Sequence, residues 1–350
     1  LLSVERQQKV KEALYLFLLQ KREENELSQA FTAYNTRIVA PPHGSMLPMS
    51  PVRKNILMVA CALGLLIPVV IIFICENMNT RVRGRKDLES VTVPFIGEIP
   101  LFTRKKKGIF RKKPQEVRAI VVKEGSRDII NEAFRVLRTN LEFMTGKDKA
   151  SNVIIVTSFN PGSGKSFLTM NIAVSFAIKG KKVLVIDGDL RHGSASSYID
   201  SPTKGLSDYL GGRIDNLNEI IVTNPKQKYL DILPVGTIPP NPTELLFDDR
   251  LKQVIDTVRE QYEYVLIDCP PIELVADTQI IEKLADRTIF VVRAGLLELS
   301  MLAELEKIYG EKKYKNMSLI LNGTEGSGGR YGYRYGYRYG YHYGYGSEYH

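Results

Sequence analysis

The chain has 350 residues, 25% of them charged and 44% in the hydrophobic set, the proportions of a globular protein rather than a disordered or collagen-like one. Lys and Arg number 48 against 39 Asp and Glu, a formal charge of +9, so where the excess sits matters more than its size. The three Cys form no CxxC pair and the four His are scattered, two of them (His342 and His350) near the C-terminus, which argues against a disulfide scaffold and against a Cys- or His-based metal site. Residue 1 is Leu rather than Met, and the chain is expected to continue upstream.

Residues 1–40 are predicted to be helical. Val10, Leu14 and Phe17, then Leu27, Phe31 and Tyr34, follow helical spacing with charged residues between them, as in a surface helix or a piece of coiled coil. Pro41-Pro42 ends it, and Pro48 and Pro51 keep the next stretch irregular. Residues Ile56–Cys75 read ILMVACALGLLIPVVIIFIC, without a charge. About 20 residues at about 1.5 Å each match a hydrocarbon core of about 30 Å. The segment is too long and too far from the N-terminus for a signal-peptide core, and Pro68 is tolerated in membrane helices. The competing reading is a buried helix of a soluble core. Arg81, Arg83, Arg85 and Lys86 follow it, against Arg53 and Lys54 before it, which orients the C-terminal side toward the cytoplasm. Residues 77–127 read as a basic juxtamembrane linker with a cluster at Arg104, Lys105, Lys106, Lys107, Arg111, Lys112 and Lys113. Near anionic lipid each such charge gains about 1 kcal/mol; the alternative is a solvated charge run.

From residue 128 the pattern becomes α/β. Asp128–Met144 has the spacing of an amphipathic helix. Strand-like apolar runs lie at Val153–Thr157, Val183–Ile186, Tyr264–Ile267, Thr288–Val292 and Met317–Leu321, and helical stretches at Ser166–Lys179, Thr243–Glu260 and Leu299–Tyr309. Strands without polar alternation, separated by helices, imply a parallel sheet covered on both faces.

The first of those strands runs into SFNPGSGKS and then a helix. Gly162, Gly164, Lys165 and Ser166 supply the parts of a P-loop: glycines that let backbone N–H groups wrap a phosphate, a lysine that reaches the β- and γ-phosphates, and a hydroxyl for Mg²⁺. The usual first glycine of G-x-x-x-x-G-K-[ST] is Phe159 here. VLVIDGDLR puts Asp187 and Asp189 at the end of a second strand, and YVLIDCPP puts Asp268 at the end of another, with Pro270 and Pro271 forcing a turn. Parallel sheets bind ligands beyond the carboxyl ends of their strands, so all three carboxylates and the P-loop are expected at one edge, with Asp268 serving Mg²⁺. A lone acid at a strand end is often only a helix cap; three beside a P-loop point to a metal-nucleotide site.

Residues 330–346 read RYGYRYGYRYGYHYGYG. Tyr331, Tyr333, Tyr335, Tyr337, Tyr339, Tyr341, Tyr343 and Tyr345 alternate with other residues, and Tyr349 follows. With no aliphatic residue to build a core, the segment is expected to be disordered. It could be a sticky low-complexity tail, a single-strand nucleic-acid binder that stacks bases on its rings, or a kinase substrate. Beside the P-loop, the last is the expectation, with no nucleic-acid partner.

This combination resembles the bacterial tyrosine kinases (BY-kinases), in the form fused to a polysaccharide co-polymerase membrane domain. The matching residues are PGSGKS at 161–166, IDGDLR at 186–191, LIDCPP at 266–271, EAFRVLR at 132–138 and the Tyr-rich end. PVGTIPPNPTELL at 234–246 matches too, without a chemistry that its residue types identify. The partitioning and cell-division-positioning ATPases of the same P-loop class carry a lysine five positions before the P-loop lysine; that position is Asn160 here, which fits the kinase group.

The resemblance implies an α/β fold, a doubly wound and mainly parallel sheet with a deviant Walker A P-loop, preceded by one transmembrane helix and part of a periplasmic helical coiled coil. It implies ATP and Mg²⁺ as cofactors, with ATP bound by Pro161, Gly162, Ser163, Gly164, Lys165, Ser166 and Phe167. Asp187 would act as base toward the tyrosine hydroxyl, and Ser166, Asp189 and Asp268 would serve the metal, although spacing alone does not divide the roles of Asp187 and Asp189. Glu132, Arg135 and Arg138, at i, i+3 and i+6, would join subunits in a ring; the simpler reading is an intrahelical ion pair worth about 0.3 kcal/mol. The nine tail tyrosines would be the phosphoacceptors.

The implied layout is 1–50 as the end of the periplasmic co-polymerase module, 55–76 as the membrane helix, 77–127 as the linker, 128–325 as the kinase domain and 326–350 as the tail. The implied setting is the bacterial inner membrane with the kinase domain cytoplasmic. The partners would be further copies of the chain, membrane lipid, the polysaccharide export and polymerisation machinery, and a phosphotyrosine phosphatase. Two rival functions are a membrane-associated ATPase whose nucleotide state drives assembly, and a structural chain-length co-polymerase without kinase activity.

Overall fold

The computed structural model describes residues 2–31, 44, 52–77, 79–102, 119–145, 152–272 and 276–325. The basic cluster at 104–113 and the tyrosine tail lie outside the described residues. The chain divides into two compact units, residues 1–78 and 79–350.

The first unit contains two helices. α1 spans Leu2–Phe31 and carries the exposed ion pairs Lys21–Glu24 and Arg22–Glu26. α2 spans Arg53–Asn77 with Pro68 inside it. Residues Arg53–Ile74 are long and apolar enough to cross a membrane, and none of that span is buried by the protein. An apolar helix with its side chains left outward is the opposite of a soluble core helix.

The second unit is an eight-stranded sheet. In chain order its elements are β1 (Phe95–Pro100), α3 (Ile129–Thr145), β2 (Val153–Thr157), α4 (Lys165–Ala177), β3 (Val183–Asp187), α5 (Leu206–Leu210), β4 (Val222–Thr223) and β5 (Leu230–Leu233). Then come α6 (Pro242–Leu246), α7 (Asp249–Gln261), β6 (Tyr264–Asp268), α8 (Asp277–Glu282), β7 (Arg287–Arg293), α9 (Met301–Gly310) and β8 (Met317–Thr324). The strand order is β1-β8-β7-β2-β6-β3-β5-β4, parallel except for β4 against β5. β2 and β3 are buried along their whole length. Ile154 and Val156 face a core with Phe134, Leu137 and Leu168 of α3 and α4, whereas Val153 and Ile155 face one with Val254, Ile281 and Leu305 of α7, α8 and α9. This is the two-sided, mainly parallel sheet that the unalternating strands predict.

Two features differ from expectation. The stretch 77–127, read as a linker, contributes to the sheet. β1 pairs with β8 at the edge, Leu88 and Val93 are core residues, and Val82 N–H donates to Leu297 O at 2.9 Å. FIGEIP is short, half-buried and interrupted by Gly97 and Pro100, which an edge strand tolerates and a central one does not. The second is the helix expected over Thr243–Glu260. It is two helices, broken at Phe247, because the Asp248 side chain accepts from Arg250 N–H at 2.8 Å and starts α7 afresh.

Candidate nucleotide site

β2 ends at Thr157, and α4 begins at Lys165 after a loop of seven residues. Ser158 Oγ and Ser163 Oγ both donate to Asn160 O, at 2.8 and 2.7 Å, and fold the intervening loop. Gly162 and Gly164 sit at φ 74° and 87°, the left-handed region that favours glycine. A Cβ on Gly164 would lie 2.3 Å from Asn322 Nδ2, which itself donates to Ser163 O at 2.8 Å. Phe159, in place of the usual first glycine, is buried edge-to-face against Phe290 with centroids 4.9 Å apart. The departure from the motif is thus a core residue, and the phosphate-facing part of the loop is untouched by it. The N-terminus of α4, thirteen residues long, adds the positive end of its dipole at Lys165 and Ser166.

The carboxylates come from the adjoining strands. Asp187 closes β3 and pairs in register with Asp268 at the end of β6, which is also the neighbour of β2. The Pro270–Pro271 turn is pinned by the hydroxyls of Thr157 and Thr278, which donate to Pro270 O at 2.9 and 2.8 Å. Asp187 and Asp268 are fully buried and Asp189 nearly so. Asp187 Oδ2 accepts from Ser196 N–H and Oγ–H at 2.6 and 2.7 Å. Asp187 Oδ1 and both oxygens of Asp268 have no hydrogen-bond partner. Burial raises the carboxyl pKa of both residues above the usual range. The Asp187 charge adds to the effect at Asp268 while the Ser166 hydroxyl and Lys165 ammonium oppose it, and the Ser196 bonds oppose it at Asp187. Buried acceptors without donors are rare, and these mark a place for a cation. No group of three or more His, Cys, Asp and Glu among the described residues forms a metal cage by itself, so part of any coordination must come from elsewhere.

A cavity of about 410 Å³ lies at this edge. Pro161, Gly162, Gly164, Lys165, Ser166, Phe167 and Asp189 line it, together with residues that the sequence did not single out: Pro100–Phe102 from the end of β1, His192, Tyr198, Arg293 and Asn322. Arg293 ends β7 and pairs in register with Asn322, two residues before the end of β8, a position as telling as that of the aspartates, but they are separated from the P-loop by well over a hundred residues.

The third predicted group is not brought together. Glu132 and Arg135 form an exposed ion pair at 2.7 Å. Arg138 is buried, only 7% exposed, and donates to Ser175 O and Oγ of α4 at 2.8 and 3.3 Å. It belongs to the α3–α4 packing and does not share a surface stripe with the other two.

A P-loop between strand and helix, at the carboxyl edge of a parallel sheet beside buried aspartates, defines a P-loop nucleotide-binding protein. Residues 151–319 match the family described as "AAA domain" and residues 1–76 the "G-rich domain on putative tyrosine kinase". The chain is 31% identical to the tyrosine-protein kinase etk of Escherichia coli K12 over 296 residues, 81% of this chain and 40% of that protein. Among solved structures, the kinase domain of the E. coli tyrosine kinase ETK matches with 29% identity and a TM-score of 0.61, covering 75% of this chain and all of that one. The BceF tyrosine kinase domain matches with 30% identity and a TM-score of 0.58, over 69% of this chain and 99% of that one. The chain belongs to the bacterial tyrosine kinase family. It spans 39–45% of the length of the first curated relatives it matches.

Proposed function

We propose that the chain is an ATP-dependent protein-tyrosine kinase that phosphorylates the tyrosine cluster of its own C-terminal tail, between neighbouring subunits of a ring. The observation that carries this is the pairing of a P-loop with three buried carboxylate oxygens that lack a hydrogen-bond partner, at one sheet edge.

Pro161–Phe167 would hold ATP, and Lys165 would neutralise charge on its transferring phosphate. Ser166, Asp189 and Asp268 suit Mg²⁺, which takes few protein ligands and completes its shell with phosphate and water. Bound there, the ion would supply charge neutralisation for the transferring phosphate. A phenol of pKa about 10 is a poor nucleophile at neutral pH, so Asp187 would accept its proton as the phenol oxygen bonds to the γ-phosphorus and the bond from that phosphorus to the departing ADP oxygen breaks. Its raised carboxyl pKa makes it a better acceptor than an exposed aspartate. Most of the acceleration comes from alignment and charge neutralisation.

The setting we infer is the bacterial inner membrane, crossed by α2 with the kinase unit in the cytoplasm. The polysaccharide polymerisation and export machinery is the partner there, and residues 1–50 are the end of a periplasmic co-polymerase module. Glu132 and Arg135 supply the ring contact, without Arg138. Each tail phosphate adds about −1.5 to −2 charge. A heavily phosphorylated tail leaves the acidic site, the ring loosens, and a phosphatase resets it.

The test mixes a Lys165→Met subunit carrying its tail with an active subunit lacking residues 331–350. Phosphate appearing on the inactive partner's tail is the expected result. An unlabelled partner, with full-length active protein labelling itself at a concentration-independent rate, places transfer within one chain and overturns the ring mechanism.

A further inference from the structure

The segment Pro234–Leu246, PVGTIPPNPTELL, reaches the site at two points. Near its start, Val235 N–H donates to Ser196 Oγ at 2.9 Å, and Ser196 Oγ–H donates in turn to Asp187 Oδ2 at 2.7 Å. Near its end, the Thr243 hydroxyl donates to Asp277 Oδ1 at 2.7 Å and accepts from Arg191 Nη2 at 3.0 Å, while Arg191 Nε donates to Asp277 Oδ2 at 3.0 Å. The three side chains close a cycle in which each oxygen of Asp277, itself 1% exposed, has its own donor. Arg191 is also bound to the site through its backbone: its N–H donates to Asp189 Oδ1 at 3.3 Å, beside that of His192 at 3.2 Å. One residue therefore connects a buried anchor to a carboxylate that lines the cavity.

The segment is built to hold such a grip. Pro234, Pro239, Pro240 and Pro242 fix their own φ. Leu206 N–H and Ser207 N–H donate to Pro234 O and Val235 O at 2.8 and 2.9 Å. Gly236, at φ 80°, approaches Asp208 so closely that a Cβ would lie 2.3 Å from its Oδ2.

We propose that this segment is a two-point clamp on the carboxylates of IDGDLR, in which Ser196 positions Asp187, and Thr243 with Asp277 positions Asp189 through Arg191. Ser196, Thr243, Asp277 and Arg191 do not line the cavity; they are positioning residues for the phosphotransfer, and the proposal rests on the kinase reading above. Misplacing a group that orients metal and acceptor lowers turnover and metal affinity, and leaves the phosphate cradle of the P-loop as it was.

The experiment uses the full chain and three readouts: kcat for tail phosphorylation, ADP affinity without metal, and the MgCl₂ concentration that half-maximally strengthens ADP binding. Thr243→Val keeps the shape and removes both hydrogen bonds. It should lower kcat about 10- to 100-fold and raise the MgCl₂ requirement about tenfold, with metal-free ADP affinity unchanged. Thr243→Ser, which keeps the hydroxyl, should restore both. If Thr243→Val fails to fold, Arg191→Lys, at a side chain 37% exposed, removes the fork and should give the same pattern. Values within about twofold of wild type for Thr243→Val overturn the clamp, as does a loss in Thr243→Ser as large as in Thr243→Val, which would make the role one of packing. Should the wild type fail to phosphorylate tyrosine, the kinase reading falls, yet the MgCl₂ titration still decides the clamp. ADP binding by wild type that ignores MgCl₂ overturns it.

Discussion

The two sides of the nucleotide cavity are made in different ways. The phosphate side is one uninterrupted stretch, Ser158–Ser166, whose groups are largely backbone N–H and whose shape is set by local torsions at Gly162 and Gly164. Its side-chain hydroxyls bond back to the loop itself. The carboxylate side presents Asp189 to the cavity, with Asp187 and Asp268 buried at the ends of β3 and β6, and is held by residues of a third region. The first side is closed mostly by bonds within the loop, with Asn322 Nδ2 of β8 on Ser163 O; the second carries acceptors without donors and carboxyls that burial has made reluctant to ionise. A local loop can be preformed at small cost, whereas gathering like charges in a protein interior is destabilising until a ligand arrives.

Three substitutions sharpen that contrast, beginning with the largest effect. Lys165→Met removes the one side-chain cation of the phosphate loop and should lower phosphotransfer on the order of 10³-fold or more, with the fold intact, because nothing in the core is emptied. Tail labelling at the wild-type rate, in a variant with a wild-type circular dichroism spectrum, would remove the phosphate assignment. Gly164→Ala strikes the same side through geometry. A left-handed non-glycine residue and the displacement of Asn322 from Ser163 O together should cost about 2–3 kcal/mol in stability and weaken ADP binding. An unchanged melting temperature would mean the loop does not need its left-handed residue.

Asp268→Asn tests the other side and should move stability and activity in opposite directions. It should abolish magnesium-dependent phosphotransfer while raising the stability of nucleotide-free protein by about 0.5–2 kcal/mol. The pH sign follows from the direction of the shift. A carboxyl whose pKa is raised on folding holds its proton more tightly in the native state. Its stabilising contribution is complete below the unfolded-chain value of about 4 and is lost as pH rises through the raised one. The wild type should therefore lose stability on going from acid toward neutral pH at this site, and the Asn variant should show a flatter profile. Equal profiles in denaturant titrations would show that Asp268 is not held at a cost.

The same division separates what the sequence reveals on its own from what only the fold brings together. VIIVT before PGSGKS is an unalternating run entering a glycine loop, and all of its information is local. Asp187 and Asp268 were legible because each ends such a run. The grip on them was not, since Thr243, Asp277 and Arg191 are polar residues at unremarkable spacings that meet only after three chain segments converge. β1 was hidden for a different reason: FIGEIP sits behind a basic stretch, contains Gly and Pro, and buries only Ile96 and Ile99, three residues apart, so it lacks the period-two pattern of a strand. Composition also fails to distinguish two apolar helices by itself. α4 is nearly all buried by the sheet it covers, while the apolar residues of α2 from Ile56 to Ile74 remain exposed. Length, about 20 apolar residues without a charge, was the sign that separated them.

The smallest expected effect concerns α3, which lies outside the phosphate loop and the carboxylates and tests whether sequence spacing alone can define a surface. Glu132, Arg135 and Arg138 follow one helical spacing, yet the first two meet in solvent and the third is packed on α4. An exposed i,i+3 pair contributes about 0.2–0.5 kcal/mol, so Glu132→Ala with Arg135→Ala should scarcely move the melting temperature. Arg138→Ala removes a charged donor from Ser175 O and leaves that buried carbonyl short of a partner, which should cost about 1–3 kcal/mol. Replacing all three at once would confound assembly with folding. The double variant separates them: it keeps the fold, so a smaller sedimentation coefficient and weaker tail labelling would be the loss of a subunit contact. A double variant that sediments and labels like wild type would leave Glu132 and Arg135 as an intrahelical pair and send the search for the ring contact to another face.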